Sequence, residues 1–402
     1  MSAPKRLSQR EFIALIALMF ATVALSIDAM LPALPEIGQA LSPQDLNRAQ
    51  LVVTTFVFGM GLGTLFTGPL SDTFGRKPLV LFGLALYAIG ALMCYFAPSL
   101  EVLLAARILQ GIGVAAPRTV SLAIVRDIYS GREMARIVSF AQMIFTTIPA
   151  IAPFLGLVMI WLAGWQSIFL AYLVFAAICA LWFALRQPET LAVEARRGLS
   201  PRALAAATAE MFRSPGMPVS ILVQSLTLGM LFSTLSSIQS IFDQQMGRAN
   251  NFALWFAVIS ILSMSGSYVN ARFVTRQGMR KVLDLTYRTQ FQASALLFGL
   301  YWLQILPLEL AFAALVIWQT GLFAMMGTTM GNLNALALEP LGHIAGLSAS
   351  VMSSIATVIS VALAVPVGLA FDGTALPLIA GVTVFAGLAW ALVRYGLPEG
   401  RA

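Results

Sequence analysis

The chain has 402 residues, of which 59% are hydrophobic and 10% charged, and its mean hydropathy is +0.86. That is more apolar surface than a water-soluble domain can bury, which argues against an ordinary soluble protein and makes a bilayer the natural solvent. The formal charge of +7 would suggest nucleic-acid binding in a soluble protein, but its placement along this chain has another explanation, and no nucleic-acid partner is expected.

Apolar stretches of about 20 residues, the length that crosses ~30 Å of hydrocarbon, recur twelve times: 12–34, 49–71, 79–97, 102–125, 137–163, 166–186, 218–242, 251–271, 282–303, 310–334, 347–370 and 377–395. They are continuous and lack the two-residue alternation of membrane strands, so helices rather than a barrel are predicted. The first stretch continues past Asp28 into the run from Leu31 to Pro35 without a small-residue cleavage pattern, and is read as a retained helix. Cys94 and Cys179 both fall within spans, so neither a disulfide framework nor a zinc site is suggested. One long polar interruption splits the spans six and six. The predicted organisation is an N-terminal six-helix bundle over 1–186, a cytoplasmic linker over 187–217 and a C-terminal six-helix bundle over 218–402. The expected fold class is an all-α membrane protein with twelve transmembrane helices in two six-helix bundles, in contact with the lipid bilayer.

Basic residues sort to one side of this topology. Lys5, Arg6 and Arg10 precede the first span, Arg76 and Lys77 follow the second, and Arg126, Arg132 and Arg136 follow the fourth. Arg186, Arg196, Arg197, Arg202 and Arg213 border or occupy the central loop; Arg272, Arg276, Arg280 and Lys281 follow the eighth span; Arg394 and Arg401 close the chain. These are nineteen of the twenty-four basic residues, all cytoplasmic if both termini are inside. The loop from Gly68 to Leu79 is echoed by the stretch from Asn270 to Leu283, with Gly75-Arg76-Lys77 matched by Gly278, Arg280 and Lys281. Equivalent loops in the two halves point to internal repeats.

At these residues the chain resembles the major facilitator superfamily over nearly its whole length. The loop carrying Gly68, Asp72, Gly75, Arg76 and Lys77 looks like that superfamily's signature between helices 2 and 3. With Arg126 and Asp127 it is expected to form a charged conformational latch at the cytoplasmic helix ends. Arg107-Ile-Leu-Gln110-Gly111-Ile-Gly113 is similar to the helix 4 motif whose arginine is tied to proton coupling. Pro149, Pro153 and Gly156 resemble the helix 5 antiporter motif, departing from it at Ala152, where glycine is common. Finer similarity, through Ser26 to Pro35, Arg126 to Tyr129 and Gly331 to Ser350, is to the Bcr/CflA-like drug-resistance branch; the opening and helix 2 look closest to a related alphaproteobacterial group of riboflavin and copper uptake proteins.

An ionisable side chain inside a span costs about 2.5–3.5 kcal/mol on insertion scales, so it normally faces a cavity or a partner. Asp28 lies ~24 Å from the inner boundary along helix 1 and Arg107 ~23 Å along helix 4. In the resembled fold both helices line the central cavity, so an Asp28–Arg107 pair is expected. It can be read as a proton-coupling device, in which movement trades the salt bridge for a proton or a solute, or as a static tie that fixes packing. Arg118, three turns after Arg107, is either an anionic-solute contact or a snorkelling arginine. Gln142 and Gln224 are the candidate solute-binding amides, and Gln239, Gln290 and Gln319 are further polar groups within spans. Asn332 and Asn334, next to a loop, are read either as interhelical hydrogen-bonding groups or as caps of a helix end, and Asp284 and Arg288 are expected to pair at i,i+4.

The eighteen methionines invite a copper reading, but the methionine and histidine pairs of the copper importers are missing: Met230 has no methionine four residues away, Ser260 stands four before Met264, and His343 belongs to a short loop. No metal site and no cofactor are expected. Neither a phosphate-binding loop nor a nucleophile and base pair occurs, so enzymatic activity is not expected. The resemblance implies a proton-coupled secondary transporter of a small organic solute, acting as a monomer in the bacterial inner membrane with both termini cytoplasmic. Riboflavin uptake is the favoured expectation, Bcr/CflA-type multidrug efflux by proton antiport the alternative, and copper import the remote third.

Overall fold

The computed structural model describes residues 7–196, 198 and 201–397, with the side chains of residues 135, 201–204 and 207 left out. Lys5, Arg6, Arg197 and Arg401 of the charge pattern lie outside the described residues, as does the Arg202 side chain. In chain order the helices are α1 (Gln9–Asp28), α2 (Leu34–Leu41), α3 (Leu51–Phe74), α4 (Arg76–Tyr95), α5 (Leu100–Ile128), α6 (Gly131–Ala163), α7 (Ser167–Arg186) and α8 (Pro201–Arg213). They continue with α9 (Gly216–Ser240), α10 (Phe252–Ser263), α11 (Ser265–Gln277), α12 (Met279–Trp302), α13 (Leu308–Leu338), α14 (Ala345–Leu369) and α15 (Leu376–Gly396). No strand occurs among the described residues. Helices satisfy their own backbone hydrogen bonds, which is what a chain in hydrocarbon requires.

Ten continuous helical stretches are long and apolar enough to cross a membrane. One of them, Leu308–Leu369, contains both α13 and α14, joined by the 3-10 segment Glu339–Ile344. Helix α12 has the length to cross, at 24 residues, but Arg280, Lys281, Asp284 and Arg288 lower its apolar character. Together these make the twelve crossings of the expected fold. Two of the crossings are composite. A 3-10 turn over Leu31–Ala33, containing Pro32, separates α1 from α2, and α10 passes into α11 at Met264.

Local signals set the boundaries. The Ser8 and Ser99 side chains cap α1 and α5 by accepting from the N–H groups of Glu11 and Val102. Gly75 precedes α4 at φ 103° and Gly278 precedes α12 at φ 79°, a region that favours glycine.

By its internal contacts the chain divides into two compact units, Met1–Pro43 with Thr55–Pro201, and Gln44–Thr54 with Arg202–Ala402. The stretch read as a cytoplasmic linker, 187–217, contains α8. Packing within each unit repeats the same scheme. In the first, α1 packs on α6, and α4 on α5 and α7; in the second, α9 packs on α14, and α12 on α13 and α15. The duplication visible in the loops therefore extends through the helices.

The same helix crossing also recurs. On α3, Gly63 lies so close to α5 that a Cβ would stand 2.7 Å from the Ile112 carbonyl oxygen. On α11, a Cβ on Gly266 would collide with the Ala324 carbonyl of α13.

Candidate functional site

The first unit buries a polar cluster between α1, α4, α5 and α7. Arg107, on α5, is fully buried. Its guanidinium donates to the Gln110 Oε1 at 2.6 Å and to the Ser26 backbone carbonyl at 2.9 Å, and its Cζ lies 4.3 Å from the centroid of the Phe56 ring. The Ser26 and Tyr87 hydroxyls share a 2.6 Å hydrogen bond, and the Tyr172 hydroxyl donates to the Leu25 carbonyl at 3.1 Å. Charge-assisted bonds and a ring face thus hold the cation in place.

Asp28 is 4% exposed and makes no hydrogen bond or ion pair among the described residues. The expected Asp28–Arg107 ion pair does not form in this structure. The depths agree, but the azimuth does not. Ser26 and Asp28 are two positions apart, about 200° around a helix, and the side of α1 turned to Arg107 is that of Ser26.

The other sequence candidates separate. Arg118 is half-buried and its Nη1 lies 3.5 Å from the Met60 Sδ. Gln142 is exposed on α6, next to the exposed Met143 and near Phe140, and does not join the cluster. Gln224 is buried on α9, where its Nε2 donates to the Asn334 Oδ1 at 3.1 Å and its Oε1 has no partner.

Asn332, donating to the Asn270 Oδ1 at 2.8 Å, and Asn334 both lie within α13 and tie helices together; neither caps a helix end. Asp284 does not pair with Arg288: it accepts from the Trp390 Nε1 at 3.1 Å, while Arg288 is exposed. His343, in the loop before α14, meets the Glu210 Oε1 at 2.8 Å.

The expected latch residues largely converge. Arg76 donates from Nη1 to Asp72 and Ser71, each at 2.5 Å, and from Nε to Asp127 at 3.2 Å. Lys77 donates from Nζ to the Ala184 carbonyl at 2.6 Å, and the Gly68 carbonyl accepts from Ser71. Arg126 is the exception. It is exposed and makes no ion pair among the described residues.

Glu189 completes this cluster and was not singled out from the sequence. Its carboxylate accepts from the N–H groups of Arg76, Lys77, Thr190 and Leu191 at 2.9–3.0 Å. Burial raises the Glu189 carboxyl pKa, and these N–H donors outweigh that, leaving it below the ordinary glutamate value. Gly75 lies against it: a Cβ there would stand 2.6 Å from the Glu189 Oε2. The nearest signal in the sequence was Pro188-Glu189 directly after the sixth span.

The second unit has a tie of the same kind, the Thr227 and Tyr287 hydroxyls 2.6 Å apart between α9 and α12. Its buried polar side chains, among the described residues, are all uncharged. Tyr87, Tyr172 and Tyr287 carried no signal in the sequence beyond being aromatic residues in apolar runs.

A family model described as Major Facilitator Superfamily matches residues 16–365. The chain is 28% identical over 384 residues to an uncharacterized MFS-type transporter of Bacillus subtilis, with 94% of this chain and 92% of that protein covered. It is 27% identical over 332 residues to a bicyclomycin resistance protein homolog of Haemophilus influenzae, covering 82% of this chain and 81% of the relative. Among solved structures, that of a D-xylose-proton symporter superposes with a TM-score of 0.78 at 15% identity, covering 98% of this chain and 99% of the other; at that identity the likeness speaks for the fold alone.

Proposed function

Because the chain belongs to the Major Facilitator Superfamily, we propose that it expels a small, drug-like organic solute across the bacterial inner membrane in exchange for protons, with both termini in the cytoplasm. It is a multi-pass transporter, not an enzyme. The observation that carries the coupling is the contrast between Asp28 and Arg107. One is a buried carboxyl group without a partner, and the other is a buried cation held by Ser26 on α1 and Gln110 on α5. An isolated carboxylate is costly inside a bilayer. Taking up a proton removes that cost, and approach of Arg107 in another state of the cycle would drive the proton off again. Gln224 serves as a solute contact, and the cluster of Asp72, Arg76, Asp127 and Glu189 as the latch that holds one end of the first unit closed.

The name of the Haemophilus relative favours efflux over the riboflavin uptake suggested by the opening of the chain. Uptake is kept as the second reading on the resemblance of Ser26 to Pro35 and of helix 2. Everted membrane vesicles with an acidic lumen separate the two. Labelled bicyclomycin should accumulate in vesicles carrying the natural chain, and a protonophore or Asp28→Asn should abolish accumulation. Full activity of the Asp28→Asn chain would remove Asp28 from the mechanism. No accumulation, together with growth rescue of a riboflavin-requiring cell at low riboflavin, would reverse the direction.

A further inference from the structure

The two units share a helix crossing, and that crossing assigns Arg107 a counterpart. On α3 two glycines abut carbonyls of α5, Gly59 that of Ile108 and Gly63 that of Ile112. Gly63, twelve residues before Gly75 as Gly266 is twelve before Gly278, is the counterpart of Gly266. Its carbonyl, Ile112, lies five residues after Arg107 as the Ala324 carbonyl at Gly266 lies five after Gln319. Gln319 therefore occupies on α13 the position that Arg107 occupies on α5, at the same height and on the same side of its helix relative to the crossing.

The two residues differ in how they are satisfied. Arg107 spends its donors on Ser26 and Gln110. Gln319 is 0% exposed and neither its Oε1 nor its Nε2 has a hydrogen-bond partner. Its neighbour Trp318 is committed, donating from Nε1 to the Ser294 Oγ on α12 at 2.8 Å, so Gln319, about 100° further round α13, is turned away from that contact. Leaving a buried donor or acceptor unpaired costs about 1–3 kcal/mol, and here both ends of one amide are unpaired. Packing alone would be served as well by leucine or methionine at this position.

We propose that Gln319 is a recognition residue of the transported solute and that it hydrogen-bonds an uncharged amide, lactam or imide group. A carboxamide offers one acceptor and one donor side in a single plane, and its complement is a group with a donor and an acceptor side by side. An ionic group is disfavoured, since every buried polar side chain of the second unit among the described residues is neutral and would leave a ligand charge uncompensated. The two repeats thereby divide the labour, with a fixed cation in the first and an open amide in the second. This inference rests on the transporter reading but can fail separately from it.

The test uses the full chain in lipid nanodiscs and two probes, bicyclomycin, which carries lactam groups, and riboflavin, which carries an imide. Equilibrium binding and unliganded melting temperature are measured for the natural chain, Gln319→Leu and Gln319→Met. The expected result is binding of at least one probe by the natural chain, weakened about tenfold or more in both variants, with melting temperatures equal to or above that of the natural chain. Binding retained within twofold in the variants overturns the proposal. So does weakened binding with a lowered melting temperature in both, which would make Gln319 a structural residue, and so does binding of neither probe. Gln319-dependent binding without proton-driven transport would leave this proposal standing while the efflux reading falls. Proton-driven transport indifferent to both substitutions would do the reverse.

Discussion

Arg107 donates to the backbone carbonyl of Ser26 at 2.9 Å, two residues short of the carboxyl group of Asp28. The cation is thus anchored on helix α1 without being neutralised by that helix's acid. A movement of α1 relative to α5 can exchange one oxygen for the other. Arg107→Lys keeps the charge but loses the fork that reaches Ser26 and Gln110 together. We expect proton-driven transport in vesicles to fall at least tenfold while the protein still reaches the membrane at natural levels. Transport within twofold of the natural chain would show that the fork is not needed.

The paired hydroxyls of Ser26 and Tyr87 and of Thr227 and Tyr287 are interhelical ties. Side-chain hydrogen bonds between membrane helices average ~0.6 kcal/mol in double-mutant cycles, with a maximum near ~1.7. Tyr87→Phe and Ser26→Ala, separately and combined, should give a coupling energy of about that size in thermal unfolding of the purified protein. Tyr287→Phe with Thr227→Val should repeat it. A coupling indistinguishable from zero in both units would mean that the short distances carry no net stability.

Gly75 has φ 103° and ψ 159°, backbone territory that is essentially glycine-only and costs about 1–3 kcal/mol for other residues, and a Cβ there would press on Glu189. Gly75→Ala should therefore lower the melting temperature and release the segment after α7. Proteolysis near Glu189 in membranes is a direct readout: faster cleavage is expected, and unchanged cleavage would argue against the clasp.

Glu189 gives the cluster around Arg76 a pH limit. Its folded-state pKa is depressed, so its stabilising contribution is present above the unfolded value, about 4.3, and is lost as the pH falls through the lower folded value. Melting temperature measured from pH 7 downward should show a smaller acid-induced loss in Glu189→Gln than in the natural chain, while at pH 7 the variant is the less stable of the two. Parallel curves across the whole range would contradict this.

Much of the fold was legible because hydrocarbon imposes one length and one composition on every crossing. Even α12 was found, its run after Lys281 being apolar enough to continue a pattern set by eleven others. The site was legible in depth only. A rise of about 1.5 Å per residue placed Asp28 and Arg107 at one level, but which side of α1 faces α5 depends on helix rotation and on the 3-10 break at Leu31–Ala33, which no residue spacing encodes. The charges around Arg76 announced themselves through their loop. Glu189 did not, because its role is to accept backbone N–H groups that look alike in any sequence. Asp284 and Arg288 had the spacing of a pair, yet an indole from α15 took the acid instead. Of the two readings of Asn332 and Asn334, capping fails because α13 runs on to Leu338, beyond where the apolar run fades, and interhelical bonding holds.

That contact between Trp390 and Asp284 has a consequence for biogenesis. The two residues are 106 positions apart, and α12 is the crossing helix that falls short of the apolar threshold met by the other spans. A nascent α12 with acid and bases in its first three turns is a poor candidate for leaving the translocon alone. In the folded chain α15 supplies the indole that donates to its acid. A chain truncated ahead of α15 should leave α12 more open to water-soluble thiol reagents at an engineered cysteine than the complete chain does.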